Sequence, residues 1–364
     1  VSIGSGGFTP NAVSEIWGSR SGDCKDASLL LVVVLRRLGV AACPALVNVV
    51  SGWTLNDEAP TLATFNHCIV RARIAGKTYW LDPTNFPQAG QLDAIVQPRW
   101  GWALPLVSGA TLESMGEPAI EDLGGTDEEF VFGATPEEPT RLTIRSVHRS
   151  LRADSVRRQL SAGRTAVEES FRAFYDRRYG GAVLAAPLEV EDDPVGNALT
   201  LVETYDLTRP WERLTDGRVR FQTYDDLFIA GFQTPRTEDR VHPIDLGLPR
   251  RLYHNITLRV GRDIPMSGWN ETAVAAGVEM NAIHQVLDEP GDTRLKRTMS
   301  VSRRVAPAAD ARALFDARDR ISNYSGVVLT LAVENGRFPE ADRPQPLPAS
   351  TSDNPAWWML ILPV

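Results

Sequence analysis

The 364-residue sequence has no apolar run long enough to cross a membrane. Its longest run, Leu29 to Leu35, ends at Arg36 and Arg37. The final stretch, 356-AWWMLILPV-364, is about half as long as a membrane span. It fits either a docked tail or the start of a membrane helix that continues beyond the chain. We therefore expect membrane association only through sequence outside this chain.

Excess positive charge is also missing from the sequence. It holds 38 Lys and Arg against 46 Asp and Glu, a formal net charge of -8. Proteins that bind nucleic acid need clustered Lys and Arg for phosphate contacts, so we expect no nucleic-acid partner. His148, His242, His254 and His284 lie in unrelated contexts without the spacing of metal ligands. We therefore expect neither a metal nor a cofactor.

Length and turn-forming residues indicate more than one domain. A chain of 364 residues exceeds one compact core of ordinary size. Its 25 prolines and 28 glycines favour a turn-rich, β-rich architecture. The composition changes within 124-GGTDEEFVFGATPEEPT-140. We predict a core over 1–125, a linker over 126–140, a β-rich domain over 141–335 and a Pro-rich C-terminal tail over 336–364.

Short strand-like runs separated by turns dominate the predicted second domain. Two helical patterns interrupt them, near 153–178 and 308–322. We predict an antiparallel β-sandwich with one or two helices packed on it, so that the whole chain is α+β. The strand-like runs lie at 141–151, 198–207, 218–224, 252–260, 297–305 and 326–334.

A helix, a strand and a hairpin are predicted around the first cysteine. Apolar residues recur at helical spacing, at Ala27, Leu30, Leu31, Val34, Leu35 and Leu38. Gly39 suits a helix end, so the helix runs from about Cys24 to Leu38. A strand is predicted over 41–51, and a hairpin over 65–85 that turns at Ala75-Gly76.

The three cysteines fall in two kinds of context. Cys43 and Cys68 sit in apolar, strand-like runs, where they are either buried thiols or a disulfide between neighbouring strands. Cys24 is left unpaired in both cases. It lies in the first turn of its helix, where the dipole and free N–H groups favour a thiolate. Lys25 adds to that effect, whereas the two flanking aspartates oppose it or serve as helix caps.

His67 and Asp82 are the candidate base and orienting group for a cysteine nucleophile. A two-residue turn at Ala75-Gly76 places His67 opposite Thr84, so that Asp82 is a diagonal neighbour on the same face. Diagonal residues are roughly 7–8 Å apart, within reach of a side-chain hydrogen bond. A four-residue loop keeps this register, and a three-residue loop would put the pair on opposite faces.

Three motifs, 22-GDCKD-26, 66-NH-67 and 79-YWLDPT-84, resemble the transglutaminase-like superfamily, and most closely its bacterial branch associated with the DUF3857 domain. The resemblance covers about residues 1–105 and extends weakly over the β-rich region. It implies a papain-like core in which Cys24 is the nucleophile, His67 the base and Asp82 the orienting residue. The family usually has more helical sequence, and a preceding domain, before the cysteine.

The expected function is cleavage of amide bonds in a peptide or protein, with water favoured over an amine as acyl acceptor. A non-catalytic binding or scaffolding protein that keeps the fold is the alternative. In that alternative Cys24 is a buried small residue, His67 bonds to backbone and Asp82 forms a turn. Trp17, Trp53 and Trp80 line a groove or fill the core.

The chain begins with Val and shows no signal peptide, so we expect upstream sequence and a bacterial protein exported to the periplasm or cell envelope.

Overall fold

The computed structural model describes residues 9–59, 61–224, 227, 240–262, 264, 266–289 and 291–338. They form two compact units, divided in sequence between Pro118 and Ala119. The predicted α+β class is confirmed, because strands predominate and four α-helices occur among these residues. None of these helices is both long and apolar enough to cross a membrane. The tail predicted from residue 336 lies outside the described residues from 339 onward.

The first unit combines two helices with an antiparallel five-stranded sheet of order β3-β2-β1-β4-β5. The helices are α1 (Val13–Ser19) and α2 (Cys24–Arg37), and two short 3-10 helices span Leu55–Asp57 and Leu62–Thr64. The strands are β1 (Ala41–Val47), β2 (His67–Ile74), β3 (Lys77–Leu81), β4 (Trp102–Pro105) and β5 (Glu113–Ser114).

The hairpin of β2 and β3 has the predicted two-residue turn. Ala75 and Gly76 both adopt positive φ, at 50° and 79°, and Ile74 pairs with Lys77. Such a turn follows the right-handed twist of the strands it joins. The strand predicted over 41–51 ends earlier, at Val47, because the Asn48 side chain accepts the N–H groups of Val50 and Ser51 and turns the chain.

All three cysteines are free, so the disulfide alternative for Cys43 and Cys68 is wrong. The two strands do neighbour each other, but their register separates the thiols. Cys43 lies opposite Arg71, and Cys68 lies opposite Leu46. Both are buried.

The second unit is built on an eight-stranded sheet of order β14-β15-β16-β13-β6-β7-β9-β8. Its strands are β6 (Glu121–Val131), β7 (Thr140–Arg149), β8 (Ala182–Asp193), β9 (Ala198–Leu207), β13 (Arg250–Arg259), β14 (Trp269–Ala275), β15 (Val278–Val286) and β16 (Thr293–Val301). A three-stranded sheet contains β10 (Glu212–Arg213), β11 (Val219–Tyr224) and β18 (Gly326–Leu331), and a two-stranded sheet contains β12 (Ile244–Asp245) and β17 (Val305–Ala306).

One face of the eight-stranded sheet carries the core of this unit. Helices α3 (Leu151–Tyr179) and α4 (Ala311–Ser322) and the three-stranded sheet pack against it. Alternate side chains of β9 show the pattern, since Leu199, Leu201, Tyr205 and Leu207 are buried. Side chains of the opposite face, which we call the open face, are mostly half-buried or exposed.

The prediction of a linker over 126–140 is wrong for residues 126–131. Glu121–Val131 forms β6, which lies between β13 and β7 in the middle of the sheet. Its glycines and acidic residues resemble a linker, but alternation sends Glu128 and Phe130 into the interior while Asp127 and Glu129 face outward. The prediction of an antiparallel sheet is also wrong for one pair of strands, because β6 and β13 run parallel to each other. The two helical predictions, near 153–178 and 308–322, are confirmed as α3 and α4.

Candidate active site

The GDCKD motif builds the start of helix α2. Asp23 is the N-cap, and its Oδ1 accepts the backbone N–H groups of Lys25 at 2.9 Å and Asp26 at 3.3 Å. Asp26 completes a capping box by accepting the N–H of Asp23 at 3.1 Å. Gly22 is needed here, because a Cβ would lie 2.6 Å from Cβ of Asp26. The motif therefore fixes the backbone on both sides of Cys24.

One of the two aspartates beside Cys24 is neutralised by the neighbouring lysine. Lys25 forms an ion pair with Asp23. Burial raises the pKa of Asp23, but the hydrogen bonds from Lys25 and the first-turn N–H groups outweigh it and hold that pKa below its ordinary value. The Lys25 cation is therefore held by the N-cap carboxylate. The Cys24 side chain is half-buried.

A hydrogen bond and apolar packing hold helix α2 against strand β2. The Ser28 hydroxyl donates to the carbonyl of Cys68 at 3.0 Å, and Val32, one turn later, packs in a cluster with Val70. A helical turn and two strand residues advance by nearly the same length, about 6 Å. One turn before Ser28 in the helix is Cys24, and one residue before Cys68 in the strand is His67.

His67 and Asp82 meet through their side chains. Nε2 of His67 lies 3.0 Å from Oδ2 of Asp82, and the two side chains are 16% and 12% exposed. The other carboxylate oxygen, Oδ1, accepts the N–H of Thr84 at 2.9 Å and its hydroxyl at 2.7 Å. Asp82 therefore meets both expectations. It forms the turn expected in the non-catalytic alternative, and it is the partner of His67 expected in the catalytic interpretation.

The electrostatics of this pair favour a charged carboxylate. Burial raises the pKa of Asp82, but hydrogen bonds from His67 and Thr84 outweigh burial and hold the pKa below its ordinary value. Asp82 occupies Nε2 of His67, so Nδ1 is the ring nitrogen left for another partner. An ionised Asp82 can stabilise the imidazolium that forms when Nδ1 of a neutral His67 accepts a proton.

Asn66 and Asn48 hold the backbone just before His67. The N–H of Asn66 donates to the carbonyl of Val47 at 3.1 Å, and its Oδ1 accepts the N–H of Val49 at 3.0 Å. Nδ2 of Asn66 also lies 3.3 Å from Oδ1 of Asn48. The asparagine in the Asn-His motif therefore ties the start of β2 to the turn that follows β1.

Trp100, which the sequence reasoning missed, stands edge-on to the imidazole of His67. The ring centroids are 5.5 Å apart, and the ring planes meet at 82°. Two glycines allow the approach: a Cβ on Gly52 would lie 2.1 Å from the carbonyl oxygen of Trp100, and a Cβ on Gly101 would lie 2.7 Å from Cα of Trp53. Trp100 belongs to the Gly- and Pro-rich segment 86–125, where no periodic pattern distinguishes a functional aromatic residue from a structural one.

The other tryptophans considered from sequence differ in burial. Trp80 is 5% exposed and packs in the core of the first unit, whereas Trp17 is 68% exposed. Trp53 is half-buried. Across the described residues, His, Cys, Asp and Glu side chains form no group of three or more that could hold a metal ion.

No protein-family model matches the chain, and no curated protein matches it significantly. Among solved structures, it is similar to the 2.00 Å crystal structure of a putative protease from Parabacteroides distasonis ATCC 8503, with 12% sequence identity and a TM-score of 0.48. The match covers 91% of this chain and 48% of the other, so this chain spans about half the length of that protein. A likeness of this degree identifies neither a family nor an activity.

Proposed function

We propose that this chain is a transglutaminase-like cysteine enzyme that cleaves amide bonds in a peptide or protein. The observation that carries the proposal is the 3.0 Å contact between Nε2 of His67 and Oδ2 of Asp82. This contact leaves Nδ1 of His67 for another partner, and in the proposal that partner is the Cys24 thiol. The GDCKD, NH and YWLDPT motifs support the same family and the same three roles.

The reaction follows from these roles. The Cys24 sulfur attacks the carbonyl carbon of an amide while Nδ1 of His67 takes the thiol proton, and Asp82 stabilises the resulting imidazolium. The backbone N–H of Cys24, at the helix start, is the candidate donor to the oxyanion. When the tetrahedral intermediate collapses, the C–N bond breaks and His67 returns its proton to the leaving amine. A thioester then links the acyl group to Cys24.

We favour water over an amine as the group that releases the acyl-enzyme. His67 and Asp82 both keep some exposure to solvent, so water can reach the pair. His67 would take a proton from the attacking water and return it to the Cys24 sulfur as the thioester breaks. This cycle makes the chain a peptidase or amidase rather than a cross-linking enzyme.

Fluorescently labelled casein and dansylcadaverine, supplied together, test this proposal. We expect new peptide amines to appear faster than dansylcadaverine enters the casein, with both activities lost in Cys24→Ala. Cys43→Ala is the matched control and should retain activity, because Cys43 is buried within strand β1. Incorporation of dansylcadaverine without hydrolysis would overturn the choice of water. Casein turnover that persists in Cys24→Ala would remove Cys24 from the nucleophile role.

A further inference from the structure

The open face of the eight-stranded sheet carries a shallow groove. Six of its seven lining residues are polar and come from four strands, β6, β13, β15 and β16, and we call this feature the sheet groove. Every lining residue belongs to the second unit, whereas Cys24, His67 and Asp82 belong to the first. The six residues are Asp127, Tyr253, Asn255, Asn281, Lys296 and Thr298.

The aromatic ring of Tyr253 lies along the sheet instead of standing away from it. A Cβ on Gly125 would lie 2.6 Å from Cγ and 2.7 Å from Cδ1 of Tyr253, so the ring covers Gly125. The Tyr253 hydroxyl lies 3.3 Å from Oδ2 of Asp127, two residues further along β6. The pairing of β6 with β13 is irregular just before Tyr253, and Gly124 adopts a φ of 79° there. The Gly124-Gly125 pair thus makes room for a half-buried aromatic platform.

Hydrogen bonds hold the polar side chains beside this platform. Nδ2 of Asn255 donates to Oδ1 of Asp127 at 2.7 Å. On the far side of the groove, the hydroxyl of Thr272 donates to Oδ1 of Asn281 at 2.8 Å. Nδ2 of Asn281 in turn lies 3.4 Å from the Thr298 hydroxyl. The carboxylate and amide groups are therefore fixed before any ligand arrives, which lowers the entropic cost of binding.

Lys296 brings a positive charge into the middle of the groove. Its cross-strand neighbours are Asn255 on β13 and Ile283 on β15. Within the described residues Lys296 forms no ion pair, so its ammonium donors are available to a ligand. Ile283 is the single apolar aliphatic side chain among the lining residues.

We propose that the sheet groove binds an oligosaccharide. A sugar ring presents a face of C–H groups that suits the flat ring of Tyr253, and its hydroxyls suit Asp127, Asn255 and Lys296. A peptide would need separate pockets for its successive side chains, whereas the apolar side-chain surface of this groove is one shallow area that includes Tyr253 and Ile283. Nucleic acid is disfavoured by the net charge of -8 and by Asp127 within the groove.

Calorimetric titration of the full chain with chitohexaose and with cellohexaose tests the proposal. We expect saturable binding of at least one of them in the millimolar range, about 10⁻³ M. Tyr253→Ala should weaken that binding about tenfold or more, whereas Tyr253→Phe should retain most of it because the ring remains. Tyr224→Ala, in the three-stranded sheet, is the matched control and should bind like the unaltered chain.

Lys296→Ala gives a second test that does not depend on the folding of Tyr253→Ala, and it should also weaken binding. Absence of saturable binding of either sugar up to about 10 mM would overturn the proposal. So would sugar binding that is unchanged in both Tyr253→Ala and Lys296→Ala. Binding of casein peptides, with no sugar binding, that is lost in Tyr253→Ala would make the groove a peptide site instead.

Discussion

Nε2 of His67 and Oδ2 of Asp82 lie 3.0 Å apart, although 15 positions separate the two residues in the chain. The two-residue turn of the hairpin brings them together, since it pairs Ile74 with Lys77 and carries Asp82 past the end of β3 towards His67. Thr84 holds the other carboxylate oxygen, so the carboxylate cannot easily rotate away.

Replacing Asp82 by Asn should slow alkylation of Cys24 at pH 7 by about tenfold or more. The neutral amide stabilises an imidazolium poorly, so His67 accepts the Cys24 thiol proton less readily. The thermal melt should change little, because the amide keeps the size of the carboxylate. The rate is measured by mass spectrometry during a timed reaction with iodoacetamide.

Thr84→Ala is the matched control for this variant. It removes the hydroxyl bond to Oδ1 of Asp82 and leaves the contact with His67 in place. We expect a cost of about 1 kcal/mol in unfolding free energy with almost unchanged alkylation. If Asp82→Asn lowers the melt and leaves alkylation unchanged, Asp82 is only a turn residue, and a Cys–His pair at most remains.

Among the three thiols, Cys24 should react with iodoacetamide far faster than Cys43 or Cys68. Cys24 is half-buried at a helix start, whereas the other two lie in the sheet. Burial also raises the pKa of Cys68 to about 11, which leaves almost no thiolate at neutral pH. Peptide mapping of the folded protein gives the three rates. Equal labelling of all three would exclude a specially reactive Cys24.

Trp100→Ala should also slow Cys24 alkylation, by about tenfold, because His67 loses the ring that stands edge-on to it. Trp100→Phe restores an aromatic edge and should recover most of the rate. The pH dependence of alkylation separates this effect from a general loss of stability. If Trp100 positions His67, the pH dependence of alkylation changes in Trp100→Ala but not in Trp100→Phe. An unaltered pH dependence in Trp100→Ala would show that the contact has no part in thiol reactivity.

Gly101→Ala should cost more stability than Gly39→Ala, although both glycines have positive φ, at 85° and 79°. A Cβ at Gly39 meets nothing within 4 Å, so we expect only backbone strain of about 1–2 kcal/mol. At Gly101 the added Cβ would also lie 2.7 Å from Cα of Trp53. Urea denaturation should show a further loss of about 2 kcal/mol. Equal losses would mean that this close approach relaxes freely.

Glu203 should make the second unit less stable as the pH rises. Burial raises the pKa of Glu203 to about 7 from an ordinary 4.5, with neighbouring Glu128 adding to the shift and a hydrogen bond from Tyr205 opposing it. The pKa of Glu203 is higher in the folded protein than in the unfolded chain. Protonated Glu203 therefore contributes its full stabilisation below about pH 4.5, and this contribution is lost as the pH rises through 7. Glu203→Gln should therefore gain, relative to the unaltered chain, on the order of 2 kcal/mol between pH 4.5 and 8.

Urea denaturation at several pH values measures this difference. Glu191→Gln is the matched control, since its side chain is 67% exposed and lies 3.8 Å from Arg145. We expect its unfolding free energy to follow that of the unaltered chain at every pH. A Glu203→Gln variant whose advantage does not grow with pH would show that Glu203 is already ionised in the folded protein.

The sequence by itself determined the local parts of the Cys24 site. The start of α2 follows from Asp23 and Asp26, which cap backbone groups within three residues of themselves. The hairpin register follows from Ala75-Gly76, since a two-residue turn leaves one pairing for the strands. Both features rest on interactions between residues close in the chain, so a single sequence contains the information they need.

Only the tertiary structure decided the features that depend on distant residues. Glu121–Val131 has the composition of a linker, and it becomes a central strand because β13, more than a hundred residues later, pairs with it in parallel. Trp100 lies against His67 because Gly52 and Gly101 let the backbone at Trp53 and Trp100 pack closely, and no local sequence pattern predicts this packing. In each case the partner is selected by packing across the folded unit, and local propensity carries no information about that choice.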